Sequence, residues 1–208
     1  MQTERSFGIF AAMSDKPNPL RGDALRNKVL ETALELFSER GYFNTSIHDI
    51  RRAAGVSTGA IYHHFQNKEA LAQSLYESLL QQMDQAIDNA CMGKSGCLPR
   101  CRAIIERLFQ LTMDEPKTMQ FVLMAKHREY LTDEAPICSS SPFKKMKQVV
   151  TEGMESGEVR QMEPWVAASA MYGGALRMMN LQLDVGLDRP LPDYLDEVMD
   201  CAWRAIAA

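Results

Sequence analysis

Leu25, Val29, Leu30, Ala33, Leu36 and Phe37 recur at three- and four-residue spacings, which puts them on one face of a helix. That helix should begin near Arg21 and end at Gly41, a residue suited to the left-handed C-terminal cap. Ser46 is a natural N-cap for a second helix, with Asp49 three residues on as its capping-box partner. Gly55 ends this second helix and Ser57 caps a short third one. Apolar periodicity then predicts a fourth helix from about Lys68 to Met92 and a fifth with Pro99 in its first turn, running to Met113. A sixth should reach Leu131, and a seventh should run from Phe143 to Ser156 with Gly157 after it. The eighth should open at Pro164 and run to Val185, and the last should cover residues 193–206 beyond Pro190 and Pro192. Nine helices result, with no internal repeat. Val and Ile are sparse and long alternating stretches are absent, so the expected class is all-α.

Composition sharpens this only a little. Apolar residues make up 46% of the 208 and charged residues 24%, a globular balance rather than a disordered one. Residues 1–14 read as a disordered N-terminal extension, with Met13 as an alternative start. No apolar run approaches the ~18 residues of a membrane span. Five irregularly spaced cysteines suit a reducing cytoplasm better than a disulfide framework. The net charge is −4, unevenly placed. Residues 15–68 carry eight Lys or Arg against six Asp or Glu, while residues 69–208 carry fourteen against twenty. A mildly basic front and an acidic rear imply two regions with different partners.

The second and third helices, joined across Gly55-Val56-Ser57, fit a helix-turn-helix. Ala53 and Ala54 are small enough to let the third helix cross close to the second. Ile50, Val56 and Ile61 can fill the core between them, with Phe37 and Phe65 closing it. Gly59 and Ala60 keep the third helix slim where it would enter a major groove about 12 Å wide. Tyr62, His63 and Lys68 are then placed to reach flanking phosphates. A helical hairpin with a solvated polar face would have the same local spacing.

The stretch "TSIHDIRRAAGVSTGAIYHHFQNKEALAQSLYE" resembles the DNA-binding segment of the tetracycline-repressor (TetR) family of bacterial regulators. The residues that carry the likeness are Thr45, Ile50, Ala54, Gly55, Val56, Ser57, Gly59, Tyr62, His64, Phe65, Lys68, Glu69 and Leu71. His63 departs from the commoner aromatic at its place. The resemblance covers residues 21–76. It implies a transcription regulator, a repressor by expectation, acting as a cytoplasmic homodimer on a double-stranded DNA operator and releasing it when a small molecule binds. On this reading Thr45, Ser46, Ser57, Thr58, Gly59, Ala60, Tyr62, His63, His64 and Lys68 form the DNA-facing set. Residues 15–65 would be the DNA-binding domain and 66–208 the effector-binding and dimerisation domain.

Twelve of the fourteen methionines lie in residues 83–199. Methionine is flexible and polarizable, so such a set can line an adaptable apolar cavity as readily as fill a core. Met113, Phe121, Met124, His127, Met146 and Tyr172 are the candidate lining for a hydrophobic effector. In "AASAMYGGALRMMN" small residues form a stripe that would let another helix approach closely. The family resemblance implies that the last two long helices pair across a dimer, which makes Trp165, Ala167, Ala170, Gly174, Leu195, Val198 and Ala202 the candidate interface. Cys91, Cys97 and Cys101 have poor spacing for zinc and no nearby histidine, so neither metal nor cofactor is expected. An activated thiol at Cys97 would instead make a redox-sensing regulator. No Ser-His-Asp or paired-carboxylate arrangement can be built locally, so an enzyme is not expected. A helical protein-interaction module without DNA binding is the other alternative.

Overall fold

The computed structural model describes residues 21–124, 127–131 and 136–208; the extension expected at 1–14 lies outside them. They form nine α-helices: α1 (Arg21–Arg40), α2 (Ile47–Ala54), α3 (Thr58–His64), α4 (Lys68–Cys91), α5 (Cys97–Asp114), α6 (Pro116–Met124), α7 (Ser141–Ser156), α8 (Pro164–Asp184) and α9 (Leu195–Ile206). Short 3₁₀ turns lie at His127–Glu129, Ile137–Ser139 and Leu191–Tyr194. Extended pairing among the described residues is limited to one antiparallel bridge, Val159 with Ala207. The fold is all-α.

Two ends differ from the sequence expectation. Instead of running to Leu131, α6 ends at Met124, and its Phe121 carbonyl accepts a hydrogen bond from the His127 ring at 2.7 Å. A side chain from beyond the helix thus satisfies one of the carbonyls that a terminating helix orphans. The last helix starts at Leu195, because Pro190 and Pro192 hold Leu191–Tyr194 in a 3₁₀ turn.

The contacts divide the chain into two compact units, with α4 passing from one into the other. The first takes the described residues up to Leu79 together with the described part of 120–134. This packing division differs from a cut at residues 65 and 66, since the end of α6 and the following turn belong with the N-terminal helices. Val29, Leu30 and Ala33 of α1, Ile50 and Ala54 of α2, Ile61 of α3, Phe65, and Leu71 and Leu75 of α4 are all buried in it. Ala53 is exposed, so Ala54 alone is the small buried residue where α2 meets α3. Gly55 has φ of +66°, the left-handed conformation that lets the chain turn sharply out of α2. Ser46 and Asp49 form the full capping box at the start of α2.

In the second unit α5 packs against α7, α8 and α9. Ile104, Ile105, Leu108 and Phe109 of α5 meet Met146, Val150 and Met154 of α7, Met171 and Met179 of α8, and Met199 of α9 in the buried interior. These methionines fill a core. At Gly153 α7 passes close to the start of α5. A Cβ there would lie 2.7 Å from both Cβ and Sγ of Cys97 and 2.9 Å from Cγ2 of Val159.

Gly153→Ala should therefore destabilise the protein by about 1–3 kcal/mol, because overpacking outweighs the ~1 kcal/mol that alanine gains in a helix interior. Urea unfolding followed by circular dichroism measures this; a more stable variant would mean that the crossing relaxes freely.

Candidate nucleic-acid interface and effector region

Ile61 anchors α3. It is fully buried, and at ~100° per residue Gly59 and His63 lie roughly 160° from it, Ala60 and Tyr62 roughly 100°, and Thr58 and His64 roughly 60°. Exposure follows this geometry. Gly59, Tyr62 and His63 are exposed, while Thr58, Ala60 and His64 are half-buried. A Cβ at Gly59 would meet nothing within 4 Å, so the outer face is smooth at its start. Tyr62, 51% exposed, is the bulkiest group on it. Ser57 caps the helix, its Oγ accepting from the Ala60 N–H at 3.1 Å. Ser46 is exposed, but its hydroxyl donates to Asp49 Oδ2 and its Oγ accepts from the Asp49 N–H at 3.2 Å. The hydroxyl, and then the Ser46 backbone N–H donating to the same Oδ2 at 3.0 Å, hold the Asp49 carboxyl below its ordinary range.

Two members of the expected DNA-facing set face inward. Thr45 is buried, and its hydroxyl is held by the carbonyls of Gly41 (2.9 Å) and Leu36 (3.3 Å). Lys68 is half-buried, and its ammonium donates to the carbonyls of Tyr42 and Thr45, each at 3.0 Å, while lying 4.0 Å from the Tyr42 ring centre. Tyr42 in turn donates its hydroxyl to Glu69 at 2.9 Å. Burial, and then this bond, push the phenol above its ordinary pKa. The start of α4 thus grips the α1–α2 turn, and the conformation of that turn fixes how α2 and α3 are presented.

Arg52 is the basic group that the sequence reading passed over. On α2 it lies on the face away from buried Ile50, with its side chain 77% exposed and only a 4.0 Å approach to Asp49. His48 is exposed on the same face. The signal was available, since counting from Ile50 and Ala54 by helical period puts both residues outward.

The six expected effector residues fall in both units. Phe121, Met124 and His127 belong to the first unit; Met113, Met146 and Tyr172 belong to the second. Phe121 and Met124 do share a cleft of about 280 Å³ with residues of α1 and of the turn after it. His127 is a satisfied core residue behind that cleft. Because a carbonyl only accepts, its Nε2 carries the proton given to Phe121 O, and Nδ1 accepts from the Tyr130 hydroxyl at 2.8 Å. Its ring packs on Tyr76, 4.1 Å between centres. In the second unit Met146 and Tyr172 are buried and Met113 is exposed. The Tyr172 hydroxyl meets Cys101 Sγ at 3.1 Å, and burial holds that phenol well above its ordinary pKa.

Of the expected dimer residues, Ala167, Leu195 and Ala202 are buried within the single chain. Within the chain α8 and α9 pack against each other. Trp165 and Gly174 are exposed, Ala170 and Val198 half-buried. The Trp165 ring carries Lys147 at 4.4 Å, and a Cβ at Gly174 would meet nothing within 4 Å. Cys97 and Cys101 are buried with sulfurs 3.7 Å apart. Among the described residues no three His, Cys, Asp or Glu side chains cluster as a metal site, and no helix is long and apolar enough to cross a membrane.

Residues 29–75 match the family model described as bacterial regulatory proteins, tetR family, and residues 76–208 match tetracyclin repressor-like, C-terminal domain. The chain belongs to the TetR family. It is a DNA-binding transcription regulator with a helix-turn-helix and a C-terminal ligand-binding domain. Among its relatives, the fatty acid metabolism regulator protein of Bacillus subtilis is 25% identical over 157 residues, 70% of this chain and 77% of that protein. The HTH-type transcriptional regulator TtgR of Pseudomonas putida is 27% identical over 191 residues, 84% of this chain and 85% of that one. In fold the TetR-family member is similar to FadR of Bacillus subtilis solved with stearoyl-CoA, with a TM-score of 0.74 at 19% identity over 85% of this chain and 96% of that one.

Lys68→Ala should lower stability by about 1–3 kcal/mol, since it strips two carbonyls of a charged donor and a ring of its cation. Arg52→Ala should leave the melting curve unchanged and reduce the salt dependence of DNA binding. Equal melting of the two variants would refute the inward assignment of Lys68.

Proposed function

We propose that this regulator is a cytoplasmic homodimeric repressor that binds an inverted-repeat operator and releases it when a hydrophobic small molecule occupies its C-terminal domain. The observation that carries the DNA-binding part is the outer face of α3. Gly59, Ala60, Tyr62 and His63 face away from buried Ile61, and the exposed Arg52 and His48 lie on α2 beside it. The slim start admits close approach to a groove, and the rings and guanidinium are suited to the flanking phosphates. Thr58, at the first position of α3, is the proposed reader of a base edge. Residues 15–65 are the proposed DNA-binding portion and residues 66–208 the proposed effector and dimer portion.

The dimer part rests on α8. Val166, Ala170 and Gly174 follow one another at four-residue spacing along one side of it, Val166 and Gly174 exposed and Ala170 half-buried, while exposed Trp165 lies on another side at its start. Toward the end of α8, Asn180 Oδ1 and Gln182 Oε1 are shielded from solvent and accept no hydrogen bond. A partner subunit or an effector that donates to them would remove that penalty. The hydrophobic character of the effector is supported by the relatives above, one a fatty acid metabolism regulator, one solved with stearoyl-CoA. The burial of Cys97 and Cys101 gives no support to redox sensing.

Selection of bound sequences from random duplexes tests the DNA part. The enriched sequence should be an inverted repeat with half-site centres about 34–36 Å apart or a multiple of that. Enrichment of a single unrepeated half-site would overturn the dimeric reading, and no enrichment at all would overturn the operator.

Gly174→Leu adds bulk where the single chain leaves open space. The variant should keep its helical circular dichroism yet scatter light as a monomer, while the parent scatters as a dimer. A monomeric parent would refute the assigned interface.

A further inference from the structure

We propose that this regulator takes up protons when it binds DNA, through His63 of α3 and His48 of α2, so that a fall in pH tightens the complex. The proposal rests on the outer face of α3 as the DNA surface. The seven residues of α3, Thr58 to His64, include no Lys, Arg, Asp or Glu. The helix that would lie deepest in a polyanion therefore has no permanent positive charge, and imidazole is the one group on it that can acquire one. His63 is exposed, roughly 160° around the helix from buried Ile61. His64 is half-buried and turned toward the start of α1, where a Cβ at Gly22 would lie 3.6 Å from its Cε1. His63 is thus the α3 histidine open to a phosphate. The fourth histidine of the chain, His127, is buried and bonded on both ring nitrogens.

His48 repeats the arrangement on α2. It is exposed, two residues from buried Ile50 and one turn from Arg52, so it shares the outward face with that guanidinium. Among the described residues neither His48 nor His63 enters a hydrogen bond or an ion pair; the ring contact of His63 is with His64, 5.1 Å between centres. The charged groups on the elements around them are few. On α2 they are Arg51, Arg52 and Asp49, whose carboxylate is taken up by Ser46. α1, which packs on both helices, brings Asp23 and Arg26 near its start and Arg40 at its end. The Arg26 guanidinium lies over the Phe65 ring at 5.7 Å. Both imidazoles are therefore left open to an anion from outside. Histidine is the side chain that ordinarily changes charge between pH 5 and 8, and duplex DNA does not titrate there. A phosphate favours the cationic ring over the neutral one, so by linkage binding draws protons in and lower pH raises affinity. Each imidazolium that neutralises a phosphate also releases counterions, which steepens the salt dependence.

Filter binding of the full chain to an end-labelled duplex of arbitrary sequence, about 24 base pairs long, tests this at pH 6 and pH 8 with ionic strength held constant. The parent should bind about tenfold more tightly at pH 6, with a salt slope steeper by about one for each histidine engaged. The double variant His48→Gln/His63→Gln should bind equally at the two pH values. His63→Arg is charged at both, so at pH 8 its salt dependence should be steeper than that of the parent. Because both side chains are exposed, circular dichroism should find the variants folded; if the double variant is not, the arginine variant decides alone. Parent affinity equal at the two pH values, or higher at pH 8, would overturn the proposal and leave DNA binding itself standing. So would a pH dependence kept by the folded double variant, or a parental salt slope in His63→Arg at pH 8. Absence of binding at both pH values would overturn the DNA surface and the proposal together.

Discussion

The ammonium of Lys68 is held between the carbonyls of Tyr42 and Thr45 and against the face of the Tyr42 ring. The presentation of the DNA-binding helix depends on this one contact. The turn after α1 has backbone carbonyls that no helix satisfies, and half-burial removes part of the water that would otherwise do so. A charged donor from the start of α4 meets two of them, and the Thr45 hydroxyl lies 2.9 Å from the Gly41 carbonyl and 3.3 Å from that of Leu36 in α1. The turn therefore has one conformation. The chain then runs from it through α2 and α3 back to Lys68 itself. Both ends of that segment are fixed by the same side chain, and the Ser46–Asp49 capping box and buried Ile50 and Ile61 settle what lies between.

Much of this was legible in the amino-acid order. Helical periodicity, Ser46 and Ser57 as caps, and Gly41, Gly55 and Gly157 as stops placed the helices closely, because caps and left-handed glycines are local chemistry. The misjudged residues share a cause. Lys68 and Thr45 are polar types, and read locally they belong on the surface. Their partners lie 26 and 23 residues away for Lys68, and 9 and 4 for Thr45. Only the packing of α4 against the α1–α2 turn turns them inward. His127 behaves the same way, with a ring satisfied on one side by Phe121 O and on the other by Tyr130. The end of α6 could not be read because the group that satisfies its carbonyl is a side chain beyond the helix.

The second unit failed in a different way. α8 is apolar on most of its faces, so periodicity alone does not say which face meets the chain's own core. Ala167 was assigned to the dimer because small residues permit close helix approach, and Ala202 as part of the apolar face of the last helix. Both are buried within one chain, whose α8 packs against α9. Tight α5–α7 packing at Gly153 follows the same logic, with a glycine admitting Cys97 where any side chain would collide. Small residues mark close approach without naming the partner. The open space at Gly174 separates the two cases, because nothing within the chain occupies it.

Tyr42 ties the cleft shared by Phe121 and Met124 to the DNA-binding helices. One of its neighbours is the Lys68 ammonium; another is Tyr130, whose ring is nearly parallel at 3.9 Å between centres. The ring that receives the cation fixing the α1–α2 turn is therefore also a wall of the cleft. Cation–π attraction depends on the electron density of the ring face, and stacking depends on its orientation. A shift of Tyr130 would alter what Tyr42 offers to Lys68, and with it the grip of α4 on the turn. An effector that left that ring in place would not act by this route, since a ligand shifts an equilibrium only by its differential affinity for the two states.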